Sequence, residues 1–279
     1  MDQRLLEERL ADLRLPAIRY FATTDSTNDE AARWIAGGAV DGSLVVADEQ
    51  TAGRGRGDRR WTTVAGAGLA FSLIVYPKHH GPFIVPRRTA IGALAVKDAL
   101  HHLYGLSAQI KWPNDVLLNK KKVAGILAEN HWSGDDLMAV ILGFGINVTP
   151  RSVNAADFEA KELSFPATCV EEAAGHPADR IELLHAVLQE FFAWRPRISS
   201  PEFFHEWEAN LAFRGEWVQV FSGRNRGEND AVDLRKQPLT AVEEGKVLGL
   251  APDGALKLLT RRGEIITAQF GEVRLRPKS

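Results

Sequence analysis

Residues 1–212 predict an α/β domain, and residues 213–279 a small all-β unit of the SH3-like barrel kind. Up to about residue 212, strand-length apolar runs alternate with amphipathic helical stretches. After Phe213 only short strands follow, joined by Gly-rich or Asp-Gly turns such as Pro252-Asp253-Gly254. The run GLAFSLIVYP (68–77) is nearly continuous in apolar residues, which marks a strand buried on both faces and hence central in its sheet.

Each element follows from its pattern. Leucines at 5, 6, 10, 13 and 15 place a short amphipathic helix over 4–15, followed by the strand IRYFAT (18–23). DSTNDEAARWIAGG reads as a capped helix: Ser26 with Asp29, or Thr27 with Glu30, has capping-box spacing, and Gly37-Gly38 stops it. SLVVADEQ (43–50) is a strand feeding a Gly/Arg loop. A long helix over 87–104 packs through Ile91, Leu94, Ala95, Val96, Leu100 and Leu103. QIKWPND, DVLLN, KVAGILAEN and LMAVILGFGINV are strands with short turns, and NKKK (119–122) has the polarity of a hairpin connection. Helices are expected at about 166–175, 180–195 and 200–212, the last opening near Pro201. Residues 223–240 read as a mobile hairpin or insertion.

Composition excludes several classes. With 45% hydrophobic and 25% charged residues the chain is an ordinary globular protein. A formal net charge of −2 supplies no long-range pull towards nucleic acid, so none is expected as a partner. No apolar run reaches the roughly 20 residues that span a bilayer. The acid-studded N-terminus is neither a signal peptide nor a presequence. Cys169 is the single cysteine and sits at an apparent helix start, which fits a buried structural thiol in a reducing, cytoplasmic setting. The eight histidines show no metal-ligand spacing.

Two segments carry the chemistry. EQTAGRGRGDRRW (49–61) interleaves Gly53, Gly55 and Gly57 with Arg54, Arg56, Arg59 and Arg60, a permissive backbone bearing permanent cations. KWPNDVLLNKKKVAG (111–125) sets Lys122 on a rigid hairpin. A cationic flap facing a fixed lysine suits a reaction that brings two anions together. The flap is neither a Walker A loop nor a dinucleotide-binding fingerprint, because the residues that complete those motifs are missing. An RGG-like RNA-binding segment is the blander reading, but those segments lie in long low-complexity repeats and this one is a single copy between apolar strands.

STN (26–28), the Gly/Arg loop with Trp61, KWPND (111–115), KVAGIL (122–127) and GFGIN (143–147) together resemble the biotin protein ligases, or holocarboxylase synthetases, in order and about in spacing over residues 17–149. The resemblance implies a mixed-sheet biotin/lipoate ligase-like catalytic domain (1–212) with a small terminal barrel (213–279). It also implies ATP and biotin as substrates with Mg²⁺ on the phosphates. The acceptor would be a lysine on the biotin carboxyl carrier protein or domain of acetyl-CoA carboxylase or a related carboxylase. Some members carry an N-terminal helix-turn-helix and act as repressors. Here the pattern begins by about residue 17, so the expected form is the monofunctional one, monomer or homodimer. In this family the Gly/Arg loop orders when biotin and ATP arrive.

Alone, Lys122 reads as a surface hairpin lysine at least as readily as a catalytic one; the resemblance makes it the group that bridges the biotin carboxylate and the α-phosphate, with Arg56 beside it. It assigns biotin to Ser26, Thr27, Asn28, Gln50, Gly53, Arg54, Arg56, Lys122 and Gly125. The nucleotide falls to Arg56, Trp61, Lys111, Asn114, Asp115 and Asn147, with Gly143 and Gly145 letting backbone approach the ligand. The metal ligands stay unassigned. Ser26 and Thr27 also read as helix caps, and Trp61 equally as core. Asp58 departs from the family pattern and competes for Arg59 and Arg60. No tryptophan stands beyond residue 150 where some relatives place one beside adenine, leaving Phe158 or Phe165. A lipoate ligase and a non-catalytic biotin sensor are the rivals; the Gly/Arg loop with KWPND disfavours the first and Lys122 the second.

Overall fold

The computed structural model describes residues 1–56, 59–77, 84–134, 136–156, 166–222, 241–268 and 273–277. The expectations for Asp58, Phe158, Phe165 and the 223–240 insertion lie outside them. The chain divides into two compact units, Met1–Asn210 and Leu211–Ser279.

In the first unit, α1 (Gln3–Arg9) is capped by Asp2, whose carboxylate accepts from the Leu5 N–H, and a 3₁₀ turn (Ala11–Leu13) follows. Then come β1 (Ile18–Thr24), α2 (Thr27–Ala36), β2 (Leu44–Arg54), β3 (Arg60–Thr63), β4 (Gly68–Val75) and α3 (Ile84–Tyr104). Four further strands complete the sheet: β5 (Ala108–Lys111), β6 (Asp115–Leu118), β7 (Lys121–Ser133) and β8 (Asp136–Asn147). The helices α4 (Pro150–Ala156), α5 (Val170–Ala174), α6 (Arg180–Trp194) and α7 (Pro201–Ala209) close the unit. α4, with proline at its first position, was not anticipated, and α5 and α7 are shorter than their patterns suggested.

The sheet runs β1-β2-β4-β8-β7-β6-β5, with β3 paired to β2. Only β1–β2 is parallel among these pairs, so the sheet is mixed. Every residue of β4 is buried, as its unbroken apolar run predicts. Alternation along β8 sorts the two faces. Ala139 and Ile141 pack with Ala31 and Trp34 of α2. Phe144 points the other way, where a methyl group on Gly92 of α3 would meet its ring. Gly143 and Gly145 therefore lie on the α2 face.

The capping box predicted for α2 does not form. Ser26 holds the N-cap position, but its side chain makes no cap bond. Glu30 instead accepts from Thr24 and pairs with Arg33. NKKK does form the predicted hairpin: Asn119 and Lys120 both take positive φ (50° and 61°), the signature of a tight two-residue turn between β6 and β7.

In the second unit β9 (Trp217–Ser222), β10 (Ala241–Leu250), β11 (Leu256–Thr260), β12 (Ile265–Ala268) and β13 (Val273–Pro277) form an antiparallel sheet in the order β12-β11-β10-β9-β13. Val218, Val247, Leu250, Leu256 and Leu258 are its buried core. The strands were expected and the closed barrel is not observed. Closure requires the end strands to pair, and among the described residues β12 and β13 close the two ends of an open path.

Candidate active site

Three glycines make the floor of a cleft on the α2 face. Gly125 of β7 and Gly145 of β8 are cross-strand partners, and Gly143 lies two residues before Gly145. A side chain at Gly145 would overlap the Trp61 indole, one at Gly125 would touch the same ring and the end of Lys122, and one at Gly143 would overlap the Asn28 amide. These glycines thus admit Trp61 and Asn28, and Gly143 and Gly145 themselves line the cleft.

The polar wall begins at the start of α2. Gln50 Oε1 accepts from the Thr27 N–H (2.9 Å) and lies 3.1 Å from Thr27 Oγ1. Ser72 Oγ donates to Asn28 Oδ1 at 2.6 Å and lies 2.7 Å from Thr27 Oγ1. Asn28 Nδ2 donates to Glu129 at 2.6 Å. This network fixes the rotamers of Thr27, Asn28 and Gln50 while Ser26, released from capping, lines the cleft beside them. Gly53 does not line the cleft: a side chain there would overlap the Gln50 amide, so its contribution is room for Gln50.

The cationic wall depends on a bulge. Asp115 pairs with Gly125 and Val116 with Ala124, but Leu117 pairs with Lys122, leaving Val123 as the extra residue. In an unbroken strand Lys122 and Gly125 would face opposite sides of the sheet. The bulge resets the alternation, so both face the cleft. Backbone bonds from Lys122 N to Pro166 O (2.6 Å) and from Thr168 N to Lys122 O (2.9 Å) pin the position. The Lys122 ammonium lies 2.6 Å from Asp115 Oδ1 and 5.3 Å from the centre of the Trp61 ring. Lys111 holds Asp115 Oδ2 at 3.1 Å. Burial works against charge on Asp115, yet Lys122 and Lys111 together hold its carboxyl well below the usual carboxylate range.

The Gly/Arg segment is narrower than its sequence suggested. Gly53 and Arg54 belong to β2 and Arg60 to β3, and the connection is drawn together by a 2.7 Å bond from Gly55 N to Arg59 O. Arg54 bridges Asp29 (2.6 Å) and Glu129 (2.7 Å). Arg54, Arg56, Arg59 and Arg60 all line the cleft, which is open to solvent.

Of the residues the sequence singled out, Ser26, Thr27, Asn28, Gln50, Arg54, Arg56, Trp61, Asn114, Lys122 and Gly125 converge here. Asn114 also donates to the Ile126 carbonyl, tying the start of β6 to β7. Lys111, Asp115 and Asn147 do not reach the cleft wall. All three are buried, the first two paired with each other and Asn147 donating to the Thr168 carbonyl. Ser72 and Glu129 were missed. Ser72 had a signal, a polar residue inside an apolar strand; Glu129 had none. Cys169 is buried at the N-cap of α5, away from the cleft lining.

The model of the biotin/lipoate A/B protein ligase family matches residues 20–147. A biotin–[acetyl-CoA-carboxylase] ligase of Paracoccus denitrificans is 39% identical over 208 residues, covering 72% of this chain and 84% of the relative. The chain belongs to the biotin/lipoate protein ligase family. The bifunctional ligase/repressor BirA of Bacillus subtilis is 34% identical over 245 residues, 88% of this chain and 70% of the relative. Among solved structures of the family, the biotin protein ligase from Aquifex aeolicus in complex with biotin and ATP superposes with a TM-score of 0.73 at 30% identity, covering 94% of this chain and 99% of that one.

Proposed function

We propose that this chain is an ATP-dependent ligase that activates biotin as biotinyl-5′-adenylate and transfers it to a specific lysine of a biotin carboxyl carrier domain. One observation carries the reading: a bulge-presented lysine and an arginine hairpin face each other across a glycine-floored cleft, in a chain similar over nearly its whole length to a ligase solved with biotin and ATP.

The chemistry follows from the wall on each side. Biotin's ureido ring offers one carbonyl and two N–H groups. Ser26 and the network of Thr27, Asn28 and Gln50 are pre-set to meet them. The Trp61 face and the apolar side chain of Leu127, which shares the face of Gly143, suit the fused ring and the valeryl chain. At the other end the biotin carboxylate must attack the α-phosphorus while the bond to pyrophosphate breaks. The two anions repel; Lys122 between them, with Arg56 and its neighbours above, offsets that repulsion where water is excluded. In the second step the acceptor ε-amine attacks the carbonyl of the mixed anhydride and AMP leaves. Both steps are positioning and electrostatics, so no protein nucleophile is needed.

Further parts of the reading belong with it. Mg²⁺ is taken to enter as MgATP, screening the phosphates. Residues 1–212 are taken as the catalytic domain and 213–279 as an SH3-like module. The acceptor is taken as the carrier domain of acetyl-CoA carboxylase, after the names of the Paracoccus denitrificans and Mycobacterium tuberculosis relatives. No described helix is long and apolar enough to cross a membrane, and the reading places the enzyme in the cytoplasm. The test is direct: protein, MgATP and labelled biotin are mixed with a biotin carboxyl carrier domain. Label on one lysine of that domain supports the reading. No label there, with none in the adenylate, overturns it.

A further inference from the structure

Two lysines share one buried carboxylate beside the cleft. Lys111 and Asp115 are cross-strand partners in β5 and β6, each about 5% exposed or less, and Lys122 arrives on the same face through the Val123 bulge. Lys122 takes Oδ1 and lines the cleft; Lys111 takes Oδ2 from behind and does not. Arg59, from the β2–β3 connection, adds its field to the same carboxylate, and the Trp61 ring covers Lys122. Burying ions is costly, and an apolar pair would fill the space behind Asp115 as well as Lys111 does. The arrangement makes sense through its charge. A carboxylate paired with Lys122 alone would cancel the ammonium as felt from the cleft. With Lys111 present, the three groups carry one net positive charge, and it sits on the exposed member.

We propose that Lys111 is a positioning residue for the activation step. It occupies one oxygen of Asp115, so that Lys122 is held in place by the other oxygen while keeping an uncompensated positive charge for an incoming phosphate. This rests on the reading that phosphates meet Lys122.

The experiment compares wild type, Lys111→Met and the double variant Lys111→Met/Asp115→Asn in two assays, biotin-dependent ATP–pyrophosphate exchange and calorimetric binding of inorganic pyrophosphate. Thermal midpoints are measured alongside. Lys111→Met removes a charge at nearly constant volume and is expected to weaken both readouts by roughly ten- to a hundredfold, in the range of coupled neighbours. The double variant restores one net positive charge and keeps a side chain of the same shape beside Lys122, so both readouts should recover to within a few-fold of wild type. A double variant as weak as the single one overturns the proposal, because Lys111 would then touch the anion itself. A single variant indistinguishable from wild type overturns it equally. If Lys111→Met fails to fold, the double variant alone decides, since both buried positions are then neutral: near-wild-type pyrophosphate binding supports the proposal and lost binding sinks it. Pyrophosphate binding in the expected order without any biotin-dependent exchange supports this proposal and overturns the biotin reading instead.

Discussion

The Lys122 ammonium lies 2.6 Å from the Asp115 carboxylate, and the strand pairing brings them together only because one residue, Val123, is extra. The pair fixes where the candidate catalytic charge can be. Replacing Lys122 by alanine should leave the fold intact, because the side chain is partly exposed and its backbone is pinned by Pro166 and Thr168. Adenylate formation should fall by about 10²–10³-fold, the usual loss for one transition-state electrostatic group. Single-turnover formation of labelled adenylate measures it. A variant within a few-fold of wild type would remove Lys122 from the mechanism.

The same pair makes stability depend on pH. Asp115 is held charged below its ordinary range, so the folded state binds its proton less readily than the unfolded chain does. For a depressed carboxyl the stabilisation is complete above the unfolded value, near pH 4, and is lost as pH falls through the folded one. Asp115→Asn should therefore be destabilised relative to wild type at neutral pH, with the gap shrinking in acid below about pH 4. Denaturant midpoints measured from pH 7 to pH 3 give the trend. A gap that widens in acid would show that the carboxylate is not the stabilising species.

The glycine floor predicts a separation between stability and binding. Gly143→Ala must push Asn28 from its place and Gly145→Ala must displace Trp61, since each new methyl group overlaps them. Overpacking of this kind costs about 1–3 kcal/mol where the neighbour cannot yield. Both neighbours belong to the cleft, so the loss should appear mostly as weaker biotin binding, and calorimetry is the measurement. Unchanged affinity in both variants would mean that Asn28 and Trp61 do not contact biotin.

Much of the fold was legible, because period-2 and period-3.6 patterns report burial directly: β4, α3 and the β6–β7 hairpin fall where their patterns place them. What failed to show depends on tertiary contacts. Ser26 has capping chemistry, but the Thr27–Gln50–Ser72 network holds the start of α2 without it. Nothing in KKVAG announces a bulge, which is a property of pairing with β6 rather than of β7 alone. That Lys111 and Asp115 are buried against each other could not be read from KWPND, because it depends on the pairing of β5 with β6 and on what packs over them.

The connection between β2 and β3 should respond to ligand. Residues 55–59 combine two glycines with Arg56 and Arg59 beside a cleft that takes anions in the proposed reaction, so neutralising those charges should favour a closed arrangement. Trypsin cleavage after Arg56 is expected to slow in the presence of biotin and ATP together. Equal rates with and without them would exclude closure over the ligand.

Replacing Arg56 with glycine should uncouple the two half-reactions rather than stop the first. Lys122 remains to bridge the carboxylate and the phosphate, so adenylate still forms. What the hairpin would add is containment: Arg54, Arg56, Arg59 and Arg60 line the cleft that the negatively charged adenylate would occupy. Losing one charge-assisted hydrogen bond of about 1.5–3 kcal/mol weakens retention by roughly ten- to a hundredfold. A mixed anhydride that escapes acylates any accessible amine, so a bystander protein such as albumin should gain biotin with the variant and not with wild type. Streptavidin blotting of a mixture of carrier domain and bystander gives the ratio. Label confined to the carrier domain, with a slower overall rate, would instead assign Arg56 to the bond-making step.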